Sequence, residues 1–158
     1  MSRKAKHEPV DMNIRDSTDS VYSFVEYKIK KGKIEFRNEV PDDMRFIVDV
    51  HDFQQLILNL FINAIHAMKN GGTLQIKGHR EDSAIIIEVI DNGCGMEAEN
   101  IGKIFDPFYT TKPTGEGTGL GLWLTYEIVK NYNGEISVES EVGKGSRFIM
   151  KFPVNGAL

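Results

Sequence analysis

Apolar residues recur at helical spacing through Ile14, Val21, Phe24, Val25 and Tyr27 or Lys28. This spacing predicts an amphipathic helix to about Lys30, with Asp11 as its N-cap. Residues 33–38 and 45–49 are short β-rich runs around the turn-like Pro41-Asp42-Asp43, which predicts a hairpin or two neighbouring strands. Asp52 followed by Gln55 reads as a capping box that opens a long helix to about Lys69, ended by Gly71-Gly72. Strands are predicted over residues 73–80 and 84–90, the second so rich in Ile and Val that both of its faces should be covered. Between Asp91 and Gly119 the pattern collapses. That interval holds six of the fifteen glycines and one short helical candidate, residues 97–104, as a long functional loop would. A helix over residues 120–132 and strands over 134–141 and 146–153 close the chain. Strict β-α alternation is absent, so the natural architecture is a sheet with helices over one face.

Composition narrows the function. The 158 residues fit one domain, and a net charge of -4 with scattered basic residues argues against a nucleic-acid partner. A single cysteine, Cys94, excludes an internal disulfide framework. The apolar runs are too short for a bilayer span and the N-terminus lacks a signal-peptide core, so a soluble, cytoplasmic chain without membrane contact is expected.

The long helix carries the first candidate chemistry. At 100° per residue, Asn59, Asn63, His66 and Asn70 fall within a stripe about 60° wide on an otherwise apolar helix. Buried amides need partners, and asparagine carbonyls are hard, neutral ligands suited to Mg²⁺ beside phosphates. The alternative is a solvent-facing edge of a core helix. Asp91-Asn92-Gly93-Cys94-Gly95-Met96 follows directly on the apolar strand. Its glycines allow positive φ and close approach to a ligand, and the Asp91 carboxylate can accept from an exocyclic amine, although Asp-Asn-Gly is also ordinary turn chemistry. Gly93, Gly95 and Ala98 mimic a dinucleotide fingerprint, but no second β-α unit follows. Gly115, Gly117, Gly119 and Gly121 run into the next helix as a phosphate cradle would, or as a flexible linker. No Walker sequence occurs; Gly143-Lys144-Gly145-Ser146 only approaches one. Between the clusters, Phe105 and Phe108 are either core anchors or parts of a lid from which Lys112 reaches phosphates.

Four motifs in order carry a resemblance. Asn59-Leu60-x-x-Asn63-Ala64, Asp91-x-Gly93-x-Gly95, Phe105-Asp106-Pro107-Phe108-Tyr109-Thr110-Thr111-Lys112 and Gly117-Thr118-Gly119-Leu120-Gly121-Leu122 resemble the N, first glycine, F and second glycine boxes of sensor histidine kinases. With Gly143-x-Gly145-Ser146-x-Phe148 and Phe152-Pro153, the resemblance covers residues 9–153. It implies an α+β, two-layer α/β sandwich (the Bergerat fold of the GHKL ATPases, shared with gyrase-, Hsp90- and MutL-type proteins), with a mixed sheet, helices on one face and a mobile ATP lid. Residues 11–154 would form this domain, residues 1–10 the linker from dimerisation helices, and residues 155–158 a tail.

The resemblance also implies site roles. Asp91 would bond the adenine amine, with Ser146 and bound water near it and with Gly93 and Gly95 in the same nucleotide-binding box. Asn63 would hold Mg²⁺ and Asn59 would lie close to the phosphates. Gly117, Thr118, Gly119, Leu120, Gly121 and Leu122 would meet the phosphate tail, mostly through backbone N–H groups. Where the family often carries Lys or Arg, this chain has His66, so His66 or Lys112 would take that phosphate contact, and Asn63, His66 and Lys112 form the implied catalytic set. The implied activity is transfer of the ATP γ-phosphoryl group to a histidine on separate dimerisation helices, which are the direct partner, with a response regulator as the indirect one. The isolated domain would be monomeric and the full kinase a homodimer. His7-Glu8 resembles an acceptor pair, but Pro9 would break its helix, so the acceptor histidine is expected outside the chain. The alternatives are a clamp ATPase, a serine kinase of the anti-sigma-factor type, and a nucleotide-sensing module without transfer.

Overall fold

The computed structural model describes residues 8–107, 109 and 121–154. Strand β1 (Val10–Asn13) leads into helix α1 (Ile14–Lys31), which buries Ile14, Val21, Val25 and Ile29 along one face. The N-cap is Asn13, whose side chain accepts from the Asp16 N–H at 2.9 Å, not the expected Asp11. Asp11 belongs to β1, where it stands opposite Ile47 and pairs with Arg45 at 3.0 Å. Strands β2 (Ile34–Glu39) and β3 (Arg45–Val48) are likewise not the neighbours expected. β3 pairs antiparallel with β1, whereas β2 joins the main sheet in parallel with β4. Phe36 packs β2 against α1 by stacking on Tyr22 at 4.4 Å.

Helix α2 (Val50–Ala67) buries Phe53, Leu56, Ile57, Leu60, Phe61 and Ala64. Its N-cap is Asp49, which accepts from the His51 and Asp52 N–H groups, so the helix starts earlier than a cap at Asp52 would allow. Asp52 has another task. Its carboxylate receives the Tyr132 hydroxyl at 2.5 Å, and Tyr132 in turn accepts the Asp49 N–H at 3.2 Å. Burial and the Asp52 carboxylate push the Tyr132 phenol well above its ordinary value. The Glu8 N–H, followed by those of Asp52 and His51, holds the Asp49 carboxyl below its ordinary value against the opposing effect of burial.

Strands β4 (Gly72–Glu81) and β5 (Ala84–Asp91) form a hairpin, followed by short helix α3 (Ala98–Ile101), helix α4 (Gly121–Asn131), and strands β6 (Glu135–Glu141) and β7 (Gly145–Pro153). The five-stranded sheet runs β2-β4-β5-β7-β6, parallel at β2–β4 and antiparallel elsewhere. Ile85, Ile87, Val89, Phe148, Met150 and Phe152 fill its inner face, packed with core residues of α1 and α2. On the outer face Arg147 reaches Glu88 at 3.0 Å and Glu139 at 3.8 Å. Helices over an apolar inner face make the two-layer, mixed-sheet architecture that the resemblance implies, while the outer face of β5 mixes Glu88 with Ile86, which is buried, and Ile90, which is partly so.

Candidate nucleotide-binding site

The registers of β5, β7 and β6 place inner-face residues in rungs. Val89, Phe148 and Val138 form one such rung, and Ile87, Met150 and Ile136 another. In the last rung the chemistry changes to Asp91, Ser146 and Ser140. Asp91 and Ser146 are buried, and the Asp91 carboxylate accepts the Gly93 N–H at 2.9 Å. Burial pushes the Asp91 carboxyl above its ordinary value of 3.8, against the lowering effect of the Gly93 and Ser146 N–H groups. An open cleft of about 330 Å³ lies at this end of the sheet, lined by Ile90, Glu139, Glu141 and Arg147 of the outer face, by Lys144 and Gly145 of the β6–β7 turn, and by Asp91, Ser140 and Ser146.

The loop after Asp91 is pinned between two elements. Cys94 N–H donates to the Ala67 carbonyl at the end of α2 (3.0 Å), and Gly143 N–H in the β6–β7 turn donates to the Cys94 carbonyl (2.8 Å). Asn92 adds a third tie by accepting the Thr73 N–H at 2.8 Å. A Cβ on Gly93 would stand 2.5 Å from the Ala67 carbonyl oxygen, and one on Gly95, where φ is +72°, would stand 2.0 Å from that of Glu141. These glycines let chain approach chain. Only Gly95 of the two needs positive φ.

Asn59, Asn63 and His66 sit half-buried along α2, whereas Asn70 lies beyond the helix end and is exposed, so the stripe has three helical members and not four. Asn59 accepts from Gln55 at 2.8 Å and donates to the Gly121 carbonyl at 3.2 Å. The side-chain amide of Asn63 makes no hydrogen bond among the described residues. Gly121 and Leu122 begin α4, where Thr125 Oγ1 donates back to the Gly121 carbonyl at 2.8 Å. Thus α2 touches the start of α4 at Asn59 and the Asp91 loop at Ala67. At a rise of 1.5 Å per residue these points are roughly 12 Å apart along the helix.

Lys112, Gly117, Thr118, Gly119 and Leu120, with Phe108 and the expected lid, lie outside the described residues. Phe105 is a core anchor, with its ring 5.8 Å from Tyr126 and 6.3 Å from Phe148. Sequence reasoning gave no role to Ser140 or Tyr132 and none of its own to Asn92, whose side chain ties the loop to β4. Ser140 left a signal, because it is the polar member of the alternation Ile136-x-Val138-x-Ser140.

Residues 48–156 match the family of histidine kinase-, DNA gyrase B- and HSP90-like ATPases. The chain is 42% identical over 101 residues to the sensor histidine kinase ZraS of Escherichia coli (strain K12), covering 64% of this chain but 21% of ZraS. It is 33% identical over 143 residues to sporulation kinase E of Bacillus subtilis (strain 168), covering 89% of this chain and 19% of that protein. It therefore spans about a fifth of the length of these two relatives. Among solved structures, the catalytic domain of histidine kinase ThkA superposes with a TM-score of 0.83 at 32% identity, covering 93% of this chain and 96% of that one. A complex of ThkA with the response regulator protein TrrA superposes with a TM-score of 0.79 at 27% identity, covering 98% of this chain and 44% of that one. The chain belongs to the histidine kinase-, DNA gyrase B- and HSP90-like ATPases and, among them, to the ATP-binding catalytic domains of histidine kinases.

Proposed function

We propose that this domain binds Mg²⁺–ATP between the Asp91 rung and the start of α4, and donates the γ-phosphoryl group to a histidine on separate dimerisation helices. The observation that carries the reading is the course of α2, whose polar stripe runs from the Asp91 loop to the helix start that follows the second glycine cluster. Asp91 reads the base as a buried acceptor aimed at an exocyclic amine, with Ser146 beside it. At the other end, the backbone N–H groups at the start of α4 and those of Gly117, Gly119 and Leu120 donate to phosphate oxygens.

The residues present fit a divalent cation at Asn63, a half-buried neutral oxygen donor with no competing hydrogen bond among the described residues. When bound there, Mg²⁺ neutralises charge on the phosphates. His66, one turn on, and Lys112 are the candidate N–H donors to the phosphates. The protein's contribution is position and electrostatics, while the nucleophile comes from the partner helices. A response regulator is then the onward acceptor, as the ThkA–TrrA complex suggests.

Incubation with γ-labelled ATP tests this. The chain alone should take up no label, because His51 stands exposed on the first turn of α2, His79 on a strand and His66 within the nucleotide stripe. Adding the phosphoacceptor helices should place acid-labile label on those helices. Acid-labile label on His7 would overturn the division of labour, and bound ATP without transfer would leave a nucleotide-sensing module.

Asp91→Asn separates base reading from folding. The carboxyl has a raised value in the fold, so its contribution to stability is fully present below 3.8 and is lost as pH rises through the window above it. At neutral pH an amide at this position should leave stability unchanged or higher. ATP affinity should fall by about 1.5–3 kcal/mol, roughly ten- to a hundredfold, since the amide can present a donor to a donor. Calorimetric titration with ATP checks this, and unchanged affinity would show that the base is not read at Asp91.

A further inference from the structure

Ser140 has not entered the mechanism so far, yet it holds the last inner rung together. Its Oγ accepts the Met96 N–H at 2.8 Å, donates to the Gly145 carbonyl at 3.0 Å, and lies 2.8 Å from Ser146 Oγ. A serine hydroxyl has one hydrogen and two lone pairs. The Gly145 carbonyl can only accept, so the single hydrogen of Ser140 is committed to it. Met96 occupies one lone pair. The bond to Ser146 therefore uses the other, and Ser146 must be its donor.

This count fixes the polarity of Ser146. Its hydrogen is turned toward β6, so its oxygen offers only lone pairs to the rest of its surroundings. Directly across the β5–β7 register stands Asp91, whose carboxylate also only accepts. Two adjacent acceptors suit a group with two N–H hydrogens, which an exocyclic amine has. A carbonyl in the same place would meet lone pairs with lone pairs.

We propose that Ser140 is a specificity-determining positioning residue, which orients the Ser146 hydroxyl so that the Asp91–Ser146 rung accepts a 6-amino purine nucleotide and rejects a 6-oxo one. The inference rests on the reading of Asp91 as the group that meets the base. Without Ser140, the Ser146 hydroxyl is free to rotate and to donate to a carbonyl.

The test is titration of the whole chain with ATP and with inosine triphosphate, both with Mg²⁺, alongside a denaturation midpoint for each variant. Wild type should prefer ATP. Ser140→Ala should narrow the ratio of the two affinities about tenfold, with the larger change in inosine triphosphate binding relative to ATP. Ser140→Thr keeps the hydroxyl on a strand that tolerates β-branching, and should restore the wild-type ratio. Ser146→Ala removes the acceptor itself and should also narrow the ratio, which keeps the inference testable if Ser140→Ala does not fold. An unchanged ratio in folded Ser140→Ala, equal losses for both nucleotides, or no rescue by Ser140→Thr would overturn it. Failure of the wild type to bind ATP is a different result, and would overturn the nucleotide reading on which the inference stands.

Discussion

Gly95→Ala should unfold or severely destabilise the domain, by about 3–5 kcal/mol, before any nucleotide is added. Two independent terms act at this position. The backbone holds φ at +72°, where a Cβ is strained, and that Cβ would stand 2.0 Å from the Glu141 carbonyl oxygen and 2.6 Å from its carbon. Neither obstacle is a flexible side chain that can swing away, since both atoms belong to the backbone of β6. Relief requires the β6–β7 turn to move off the loop, which breaks the Gly143-to-Cys94 hydrogen bond and displaces Ser140 from Met96. Gly121 is the control. A Cβ there meets nothing within 4 Å, and no positive φ is required. Gly121→Ala should fold normally, so any loss of triphosphate affinity in it reports on ligand approach. Urea midpoints measure both variants, and a Gly95→Ala midpoint within error of wild type would show that the loop is not pinned as described.

The contrast between these glycines marks where sequence reasoning reached and where it stopped. A glycine cluster after a strand signals that something approaches the backbone closely, but not what. At Gly93 and Gly95 the visitor is the protein itself, and only packing of α2 and β6 against the loop reveals that. The elements themselves were legible wherever one periodicity ran without competition, as in α2, β5 and β7. Errors arose where two local signals competed. Asp11 and Asn13 are both plausible caps before Ile14, and the choice was decided by the distant strand β3, which recruits Val10–Asn13 into pairing. Asp49 and Asp52 compete in the same way before α2, and Tyr132, 80 residues away, decides by engaging Asp52. Proximity in sequence also suggested pairing of β2 with β3, whereas β2 found β4 as a parallel partner across the whole of α2. The site followed the same rule. Asn59, Asn63 and Asp91 stand in motifs visible in the sequence, and His66 shares their helix stripe, but Ser140 acquires meaning only through the register that sets it beside Ser146.

Asn63→Ala should abolish Mg²⁺-dependent phosphoryl transfer to added acceptor helices, by at least about a hundredfold, while leaving the fold intact. The two halves of this expectation have separate causes. The side-chain amide of Asn63 makes no hydrogen bond among the described residues, so its removal strands no partner. Alanine is also the better helix former, by up to about 0.7 kcal/mol, so α2 should be as stable or slightly more so. Activity should fall because the stripe loses an oxygen donor that makes no hydrogen bond among the described residues, and the triphosphate charge would then lack the cation proposed there. Asn59 offers a comparison within the same helix. Its amide ties Gln55 to the Gly121 carbonyl, so Asn59→Ala should lower both the denaturation midpoint and triphosphate affinity. Magnesium titrations at fixed ATP, run beside thermal denaturation, separate the two variants. If Asn63→Ala retained both metal-dependent ATP binding and transfer, the stripe would be a solvent-facing edge of a core helix, and the cation would have to be held by other groups.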